Sequence, residues 1–193
     1  MVTKIDICNL SLAQLGQSPI SSLEQENEKA RRLKLFYVPV RDEVLRTHNW
    51  AFAGVREPLA LLDNKPDDQA RFIYQYPGDA LFVRNVFDQT RSKLPFQEFF
   101  RADRNLRVLA VGSDKAWAEY TRRITDENLF DSAFVKSFSL ALACDLAVSL
   151  TADTQLAAHL LQKYTLSLEE ARRTNASETF AQTQPGDSFT EVR

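Results

Sequence analysis

The spacing of apolar residues changes twice along this chain of 193 residues. Apolar residues recur every three or four positions up to about residue 52 and alternate between about residues 70 and 124. They then return to the helical spacing as far as about residue 176. A repeat near 3.6 predicts amphipathic helices, and a repeat of two predicts strands. The order of the repeats therefore predicts two sets of helices that flank a β-rich segment.

Capping signals place the first two predicted helices. A capping box of Thr3 with Asp6 opens the first helix, and Gly16 suits its C-terminal end. A second helix is expected to start with the capping boxes within residues 21–25. It contains Pro39, which lacks a backbone N–H, so we expect a kink there or two helices divided at that point.

Two further helices are predicted after residue 125. Asp126 or Asp131 can cap the third helix, and a break at residues 151–153 separates it from the fourth, which runs to about Ala176. Small residues on the third helix let a neighbouring helix approach closely. Three aromatic residues spaced by four share one of its faces: Phe130, Phe134 and Phe138.

Five strands are predicted in the middle segment, where aromatic and β-branched residues are bounded by turn residues. They lie within residues 72–76, 81–87, 96–100, 106–111 and 116–124. Five short strands joined by turns predict a small antiparallel sheet or barrel.

The predicted fold class is α+β, a mainly helical, antiparallel helix bundle with a small antiparallel β-module inserted between its halves. Residues 1–64 and 126–177 are the expected halves of the bundle, and residues 65–125 are the expected β-module. Residues 178–193 are expected to form an extended C-terminal arm.

Composition narrows the function classes only a little. The formal net charge is −2 and the pI is about 5.8, which excludes a polybasic nucleic-acid binder. Cys8 and Cys144 lie in apolar helical patterns without metal or redox spacing, so we predict buried free thiols. Without a secretory signal, and with residues 140–148 too short to span a bilayer, the sequence predicts a soluble protein made in a cytoplasm.

No catalytic, cofactor-binding or metal-binding set of residues is predicted. Neither His48 nor His159 has a nucleophile or an orienting carboxylate in a recognisable motif around it. Asp67 and Asp68 follow Pro66 in a polar loop and favour a solvated turn over a metal site. Glycine-rich phosphate loops and the common hydrolase motifs are absent from the sequence.

Motifs along nearly the whole chain resemble one known family, in that family's order. Residues 7–20 read ICNLSLAQLGQSPI, residues 37–53 contain YVPVRDEVLR and NWAFA, residues 76–79 read YPGD, and residues 120–134 read YTRRITDENLFDSAF. These motifs resemble tail tubular protein A, the head-to-tail adaptor of short-tailed bacteriophages. The resemblance extends from about residue 5 to residue 178, and Val38-Pro39 stands where family members usually have Asp-Pro.

The resemblance implies a structural protein of the virion tail and no enzyme. Family members form a ring, typically of twelve subunits, that docks beneath the portal protein, receives the tail nozzle protein and continues the DNA channel. It therefore implies a homo-oligomer in the particle, and we expect the free chain to be monomeric or weakly associated. Double-stranded DNA is expected to pass without specific binding. We expect the protein to be encoded by a phage or a prophage and made in the cytoplasm of the bacterial host. No cofactor and no membrane are expected as partners.

Two other functions stay open from the sequence. One is a head-completion or stopper protein, which has a different neighbour in the particle. The other is a cell-wall-degrading tail component that uses a pair of carboxylates, for which Glu119 and Asp126 are the candidates.

The C-terminal arm holds the residues predicted to dock on a partner. Phe180 and Phe189 lie on either side of Pro185-Gly186, and few other apolar residues are present there. Two aromatic anchors of this kind suit pockets on the portal protein or on an adjacent subunit. A plain flexible terminus is the alternative.

Overall fold

A computed structural model describes residues 2–62, 69 and 71–180 of the chain, with side chains as far as residue 176. The described residues contain helices and antiparallel sheets, so the α+β class is confirmed. The helices are α1 (Lys4–Gln14), α2 (Glu28–Arg46), α3 (Ser132–Thr151) and α4 (Thr154–Phe180), with 3-10 turns at Ala51–Ala53 and Glu127–Leu129. The strands are β1 (Gly54–Pro58), β2 (Phe72–Gln75), β3 (Ala80–Phe87), β4 (Lys93–Leu94), β5 (Phe96–Arg101), β6 (Leu106–Val111) and β7 (Trp117–Arg122).

The chain divides into two compact units. One comprises Met1–Val44 and Asp126–Arg193, and the other comprises Leu45–Thr125. We call them the helical unit and the β unit, after the elements that they contain. The helical unit is built from two separate parts of the chain. The β unit begins at Leu45, earlier than the boundary at residue 65 that the sequence pattern suggested.

Hydrogen bonds at both of its ends fix the length of α1. Thr3 Oγ1 accepts a hydrogen bond from the N–H of Asp6 at 3.2 Å, and Asp6 Oδ2 accepts one from the N–H of Thr3 at 2.8 Å. At the other end Gly16 has a φ of 64°, and the N–H of Gln17 donates to the carbonyl of Leu12 at 2.9 Å. A left-handed residue after a helix lets the next N–H groups satisfy its last carbonyls. The predicted capping box and the terminus at Gly16 are confirmed.

The second helix begins later than predicted and is continuous. Residues 21–27 form turns and bends, and Asn27 Oδ1 caps α2 by accepting from the N–H of Ala30 at 2.9 Å. The predicted start within residues 21–25 is wrong because Ser22 closes a local turn instead. Pro39 lies inside the helix, so the alternative of two helices is also wrong, whereas the kink stays a prediction.

Asp131 is the residue that caps α3. Its Oδ1 accepts a hydrogen bond from the N–H of Ala133 at 2.6 Å, whereas Asp126 caps the 3-10 turn that precedes it. The helix ends at Ala152, which has a φ of 54°, and this confirms the predicted break before α4. α4 continues to Phe180, so residues 178–180, predicted as part of an extended arm, are helical.

The aromatic residues of α3 lie in the core of the helical unit. The rings of Phe134 and Phe138 are fully buried and lie 6.0 Å apart, and Tyr37 of α2 packs against Phe138 at 5.1 Å. The Ser137 and Ser167 hydroxyls, also buried, are 3.0 Å apart, which brings α3 and α4 into close contact. The close approach of a second helix is confirmed, and so is the shared face of Phe134 and Phe138. Phe130 was predicted on the same helix face but precedes α3, at the end of the 3-10 turn, and packs against both rings.

α3 is long and apolar enough to cross a membrane, judged by length and composition alone. Its mean hydropathy reaches 1.6 over a window of which 61% is buried inside the protein. The mostly buried core helix of a soluble protein has the same length and composition.

Antiparallel pairing organises the β unit into two sheets. The described strands pair in the orders β1-β7-β3-β4 and β2-β6-β5. The five predicted strands are all present, but the expectation of one sheet or barrel is corrected to two sheets, and β1 and β4 were not predicted. Both sheets contribute to the buried core, which includes Tyr74 and Leu109 from one sheet and Val86 and Tyr120 from the other.

Candidate functional site

The two histidines have structural or surface positions. His48 packs edge-on against the Trp50 indole, with ring centroids 5.2 Å apart, and His159 is exposed on α4. Across residues 2–62, 69 and 71–180, no group of His, Cys, Asp and Glu has the arrangement of a metal site. The loop residues Asp67 and Asp68 lie outside the described residues.

Burial makes both thiols poor nucleophiles. Cys8 and Cys144 are free cysteines. Burial raises the pKa of the Cys8 thiol to about 12 and that of the Cys144 thiol to about 11. The thiolate is the reactive form, and a raised pKa keeps both thiols mainly protonated near neutral pH. Cys8 is fully buried as predicted, whereas Cys144 is half-buried.

The two candidate carboxylates make structural hydrogen bonds. Glu119 Oε2 accepts from the side-chain amide of Asn85 on the neighbouring strand at 2.9 Å. Asp126 Oδ1 accepts from the N–H of Asn128 at 3.0 Å and from its side-chain amide at 2.9 Å. The Glu119 carboxylate therefore links two neighbouring strands, and the Asp126 carboxylate stabilises a turn.

A buried phenol ties three parts of the β unit together. The Tyr120 hydroxyl lies 2.9 Å from Glu57 Oε1 and 2.9 Å from Asp79 Oδ1, and Arg122 Nε contacts Asp79 Oδ2 at 2.7 Å. The phenol has one proton, so it donates to one carboxylate at a time. Burial, together with the two carboxylates, raises the pKa of Tyr120 far above its ordinary value. The cluster links β1 and the turn before β3 to β7.

The helical unit has an open groove on its surface. It encloses about 510 Å³ and is formed by side chains of α1, α3 and α4. Val135 and Leu140 form its buried apolar floor, and each is only 6% exposed. Leu10 and Leu166 border it and are 45% and 67% exposed. We call this feature the α1/α3/α4 groove.

Lysines give the edge of the α1/α3/α4 groove a positive charge. Lys136 and Lys163 both line it, and Glu170 is the acidic side chain among the lining residues that the structure describes. Lys136 Nζ pairs with Glu170 Oε2 at 3.3 Å, and both side chains are exposed. Lys163 has no ion pair with any residue that the structure describes, so its charge is available to a ligand.

Exposed apolar side chains are concentrated on the helical unit. Among the described residues, eight large apolar side chains are exposed, and only Phe100 belongs to the β unit. The other seven are Leu10, Leu35, Val38, Leu129, Val148, Leu161 and Leu166. Single exposed leucines are common on proteins, but here two of them border the same groove.

The predicted docking residues lie at or beyond the end of the described chain. Phe180 is the last residue of α4, and its side chain is not among those described. Pro185 and Phe189 lie outside the described residues. The sequence analysis did not identify the groove residues, and the exposure of Leu10 and Leu166 is seen only in the structure.

No protein-family model matches the chain, and no curated protein matches it either.

Proposed function

We propose that this chain is a structural head-to-tail adaptor of a short-tailed phage or prophage. In this proposal it forms a ring between the portal protein and the tail nozzle protein, in the virion tail, and double-stranded DNA passes through the ring. The motifs within residues 7–20 and 37–53 support the proposal through their resemblance to tail tubular protein A. We also propose that the helical unit corresponds to a helix bundle and the β unit to a module inserted into it.

The structural observation that carries the proposal is the α1/α3/α4 groove, bordered by exposed Leu10 and Leu166. An open apolar groove gains free energy when a partner covers it, because the apolar surface then leaves water. By contrast, ring packing or hydrogen bonds within the protein engage the catalytic candidates His48, Glu119 and Asp126. Assembly therefore accounts for the exposed chemistry of the helical unit better than catalysis does.

Binding to the portal protein of the same phage is the direct test. The purified chain is mixed with assembled portal, and the mixture is sedimented and imaged by negative-stain electron microscopy. We expect the chain to sediment with the portal and to add a ring that extends its channel. A chain that stays in the supernatant at every portal concentration would contradict the proposal.

The same preparations separate the remaining functions. A head-completion or stopper protein is expected to bind only after another tail or neck protein has joined the portal. A cell-wall-degrading component is expected to clear a peptidoglycan gel, and Glu119→Gln or Asp126→Asn would then abolish clearing. For the adaptor we expect no clearing by the wild type.

A further inference from the structure

The α1/α3/α4 groove is too large for one side chain, and its chemistry specifies an occupant. A segment that enters it meets the apolar floor of Val135 and Leu140 and the exposed flank of Leu166. At the edge it meets Lys136 and Lys163. The complementary segment therefore has a large apolar residue between acidic residues.

Residues 181–193 of this same chain have that pattern. They read AQTQPGDSFTEVR and lie outside the described residues. Asp187, Phe189 and Glu191 alternate with small polar residues. In an extended segment, alternate residues share a face, and each acid lies about 7 Å from the phenylalanine along the chain. An apolar anchor flanked by two carboxylates matches an apolar floor flanked by lysines.

We propose that residues 181–193 of one copy bind in the α1/α3/α4 groove of a second copy, with Phe189 on the apolar floor. Asp187 and Glu191 then face Lys163 and Lys136. The inference rests on the proposed function, because assembly in a ring supplies the second copy at a fixed distance. Each subunit would then use its α1/α3/α4 groove to bind the C-terminal segment of its neighbour.

The direction of the chain at the end of α4 favours a second copy over the chain's own groove. Leu166 precedes Phe180 by fourteen residues on α4, which is about 21 Å along the helix axis. Phe189 follows Phe180 by nine residues, which span at most about 30 Å when fully extended. The chain would have to reverse immediately after Phe180 to fill its own groove. Pro185-Gly186, the dipeptide typical of a turn, comes too late for that reversal.

Disulfide trapping between full-length chains tests the contact. One chain carries Leu166→Cys and the other carries Phe189→Cys, both with Cys144→Ser, and Cys8 stays because it is fully buried. The chains are mixed under mild oxidation and separated on a non-reducing gel. Leu161→Cys is the matched control, because it is 56% exposed on the same helix but does not line the groove.

We expect the Leu166→Cys chain to be linked to the Phe189→Cys chain about tenfold faster than the Leu161→Cys chain is. A tenfold ratio corresponds to a tenfold tighter binding of the arm at the groove than elsewhere on the helix. Lys163→Glu should slow the linkage, and adding Asp187→Lys to the partner should restore it. Equal rates for the two cysteine positions would overturn the inference. So would a double variant, Leu166→Cys with Phe189→Cys, that forms only an intrachain disulfide at every dilution.

Failure of this inference is distinguishable from failure of the proposed function. If the chain adds a ring to the portal but the trap shows no preference for Leu166→Cys, the docking of residues 181–193 in the groove is wrong and the adaptor proposal stands. If neither a ring nor a specific disulfide forms, both are wrong.

Discussion

Replacing Pro39 by alanine tests whether α2 needs its proline or merely tolerates it. Pro39 lies inside the helix and is exposed to solvent. Because proline has no N–H, the carbonyl of Leu35 lacks its intrahelical hydrogen bond. Proline inside a helix is about 3 kcal/mol less favourable than alanine, and an exposed ring gives up little packing when it is removed.

We therefore expect Pro39→Ala to raise the free energy of unfolding by about 1–3 kcal/mol. For a chain of this size, each kcal/mol raises the Tm by about 2–4 °C. Urea unfolding followed by far-ultraviolet circular dichroism measures the change, and an unchanged m-value would show that the unfolded state is the same. Val38→Ala is the matched control: Val38 is adjacent and 44% exposed, so we expect a change within about 0.5 kcal/mol.

A loss of stability in Pro39→Ala would refute this reasoning. Tyr37 and Val40 are buried on either side of the proline, and they would then need a bend at Pro39 in order to pack at the same time. The variant also tests docking. If it is more stable and binds the portal protein as the wild type does, the proline has no part in assembly.

Three further predictions concern the core, the helix cap and the thiols, each measured by urea unfolding. Phe138→Ala removes a fully buried ring that contacts Tyr37 and two other phenylalanines, so it should lower the free energy of unfolding by about 3–5 kcal/mol. Phe100 is 61% exposed, and Phe100→Ala should change that free energy by less than about 0.5 kcal/mol. Thr3→Ala should cost about 1 kcal/mol. Hydrogen bonds from the Thr3 hydroxyl and from its backbone N–H lower the pKa of Asp6, so the wild type should lose this stabilisation as the pH falls through that pKa. Thr3→Ala keeps only the backbone hydrogen bond and should lose less. Burial raises the pKa of Cys8 from 9.0 to about 12, so the unfolded chain loses this proton first and stability should fall between pH 9 and 12, less steeply in Cys8→Ala.

The features that the sequence predicted well are those with local causes. The Thr3 capping box, the left-handed Gly16 and the Asp131 cap each depend on hydrogen bonds within a few residues. Most strands were also predicted, because their segments of alternating apolar residues are long enough to be distinguished from a helical repeat. The start of α2 was misplaced because residues 21–27 contain several side chains that can cap a helix, and Asn27 is the one that does.

β1 could not be predicted because its partner lies far along the chain. Gly54–Pro58 contains a glycine, a proline and two charged residues, and only Val55 carries a strand signal. Its pairing with β7, in which Val55 lies opposite Tyr120, makes it a strand. The orders of the two sheets have the same origin, since they are set by contacts between distant segments.

The α1/α3/α4 groove required knowledge of which helices are neighbours. Its floor comes from α3, and its exposed flanks come from Leu10 on α1 and Leu166 on α4. The sequence pattern predicts amphipathic helices, but it does not indicate that one leucine from α1 and one from α4 border the same groove.

The division of the helical unit between two parts of the chain has a consequence for its biosynthesis. Tyr37 on α2 donates a hydrogen bond to Glu127 at 3.0 Å, across 90 residues of sequence. A ribosome that adds about 5–20 residues per second needs about 5–20 s to make that interval. Until then, the apolar stripe of α2, including Leu33 and Val40, has no α3 to pack against. We expect the contiguous β unit to fold first on the ribosome, while α1 and α2 stay accessible to nascent-chain chaperones.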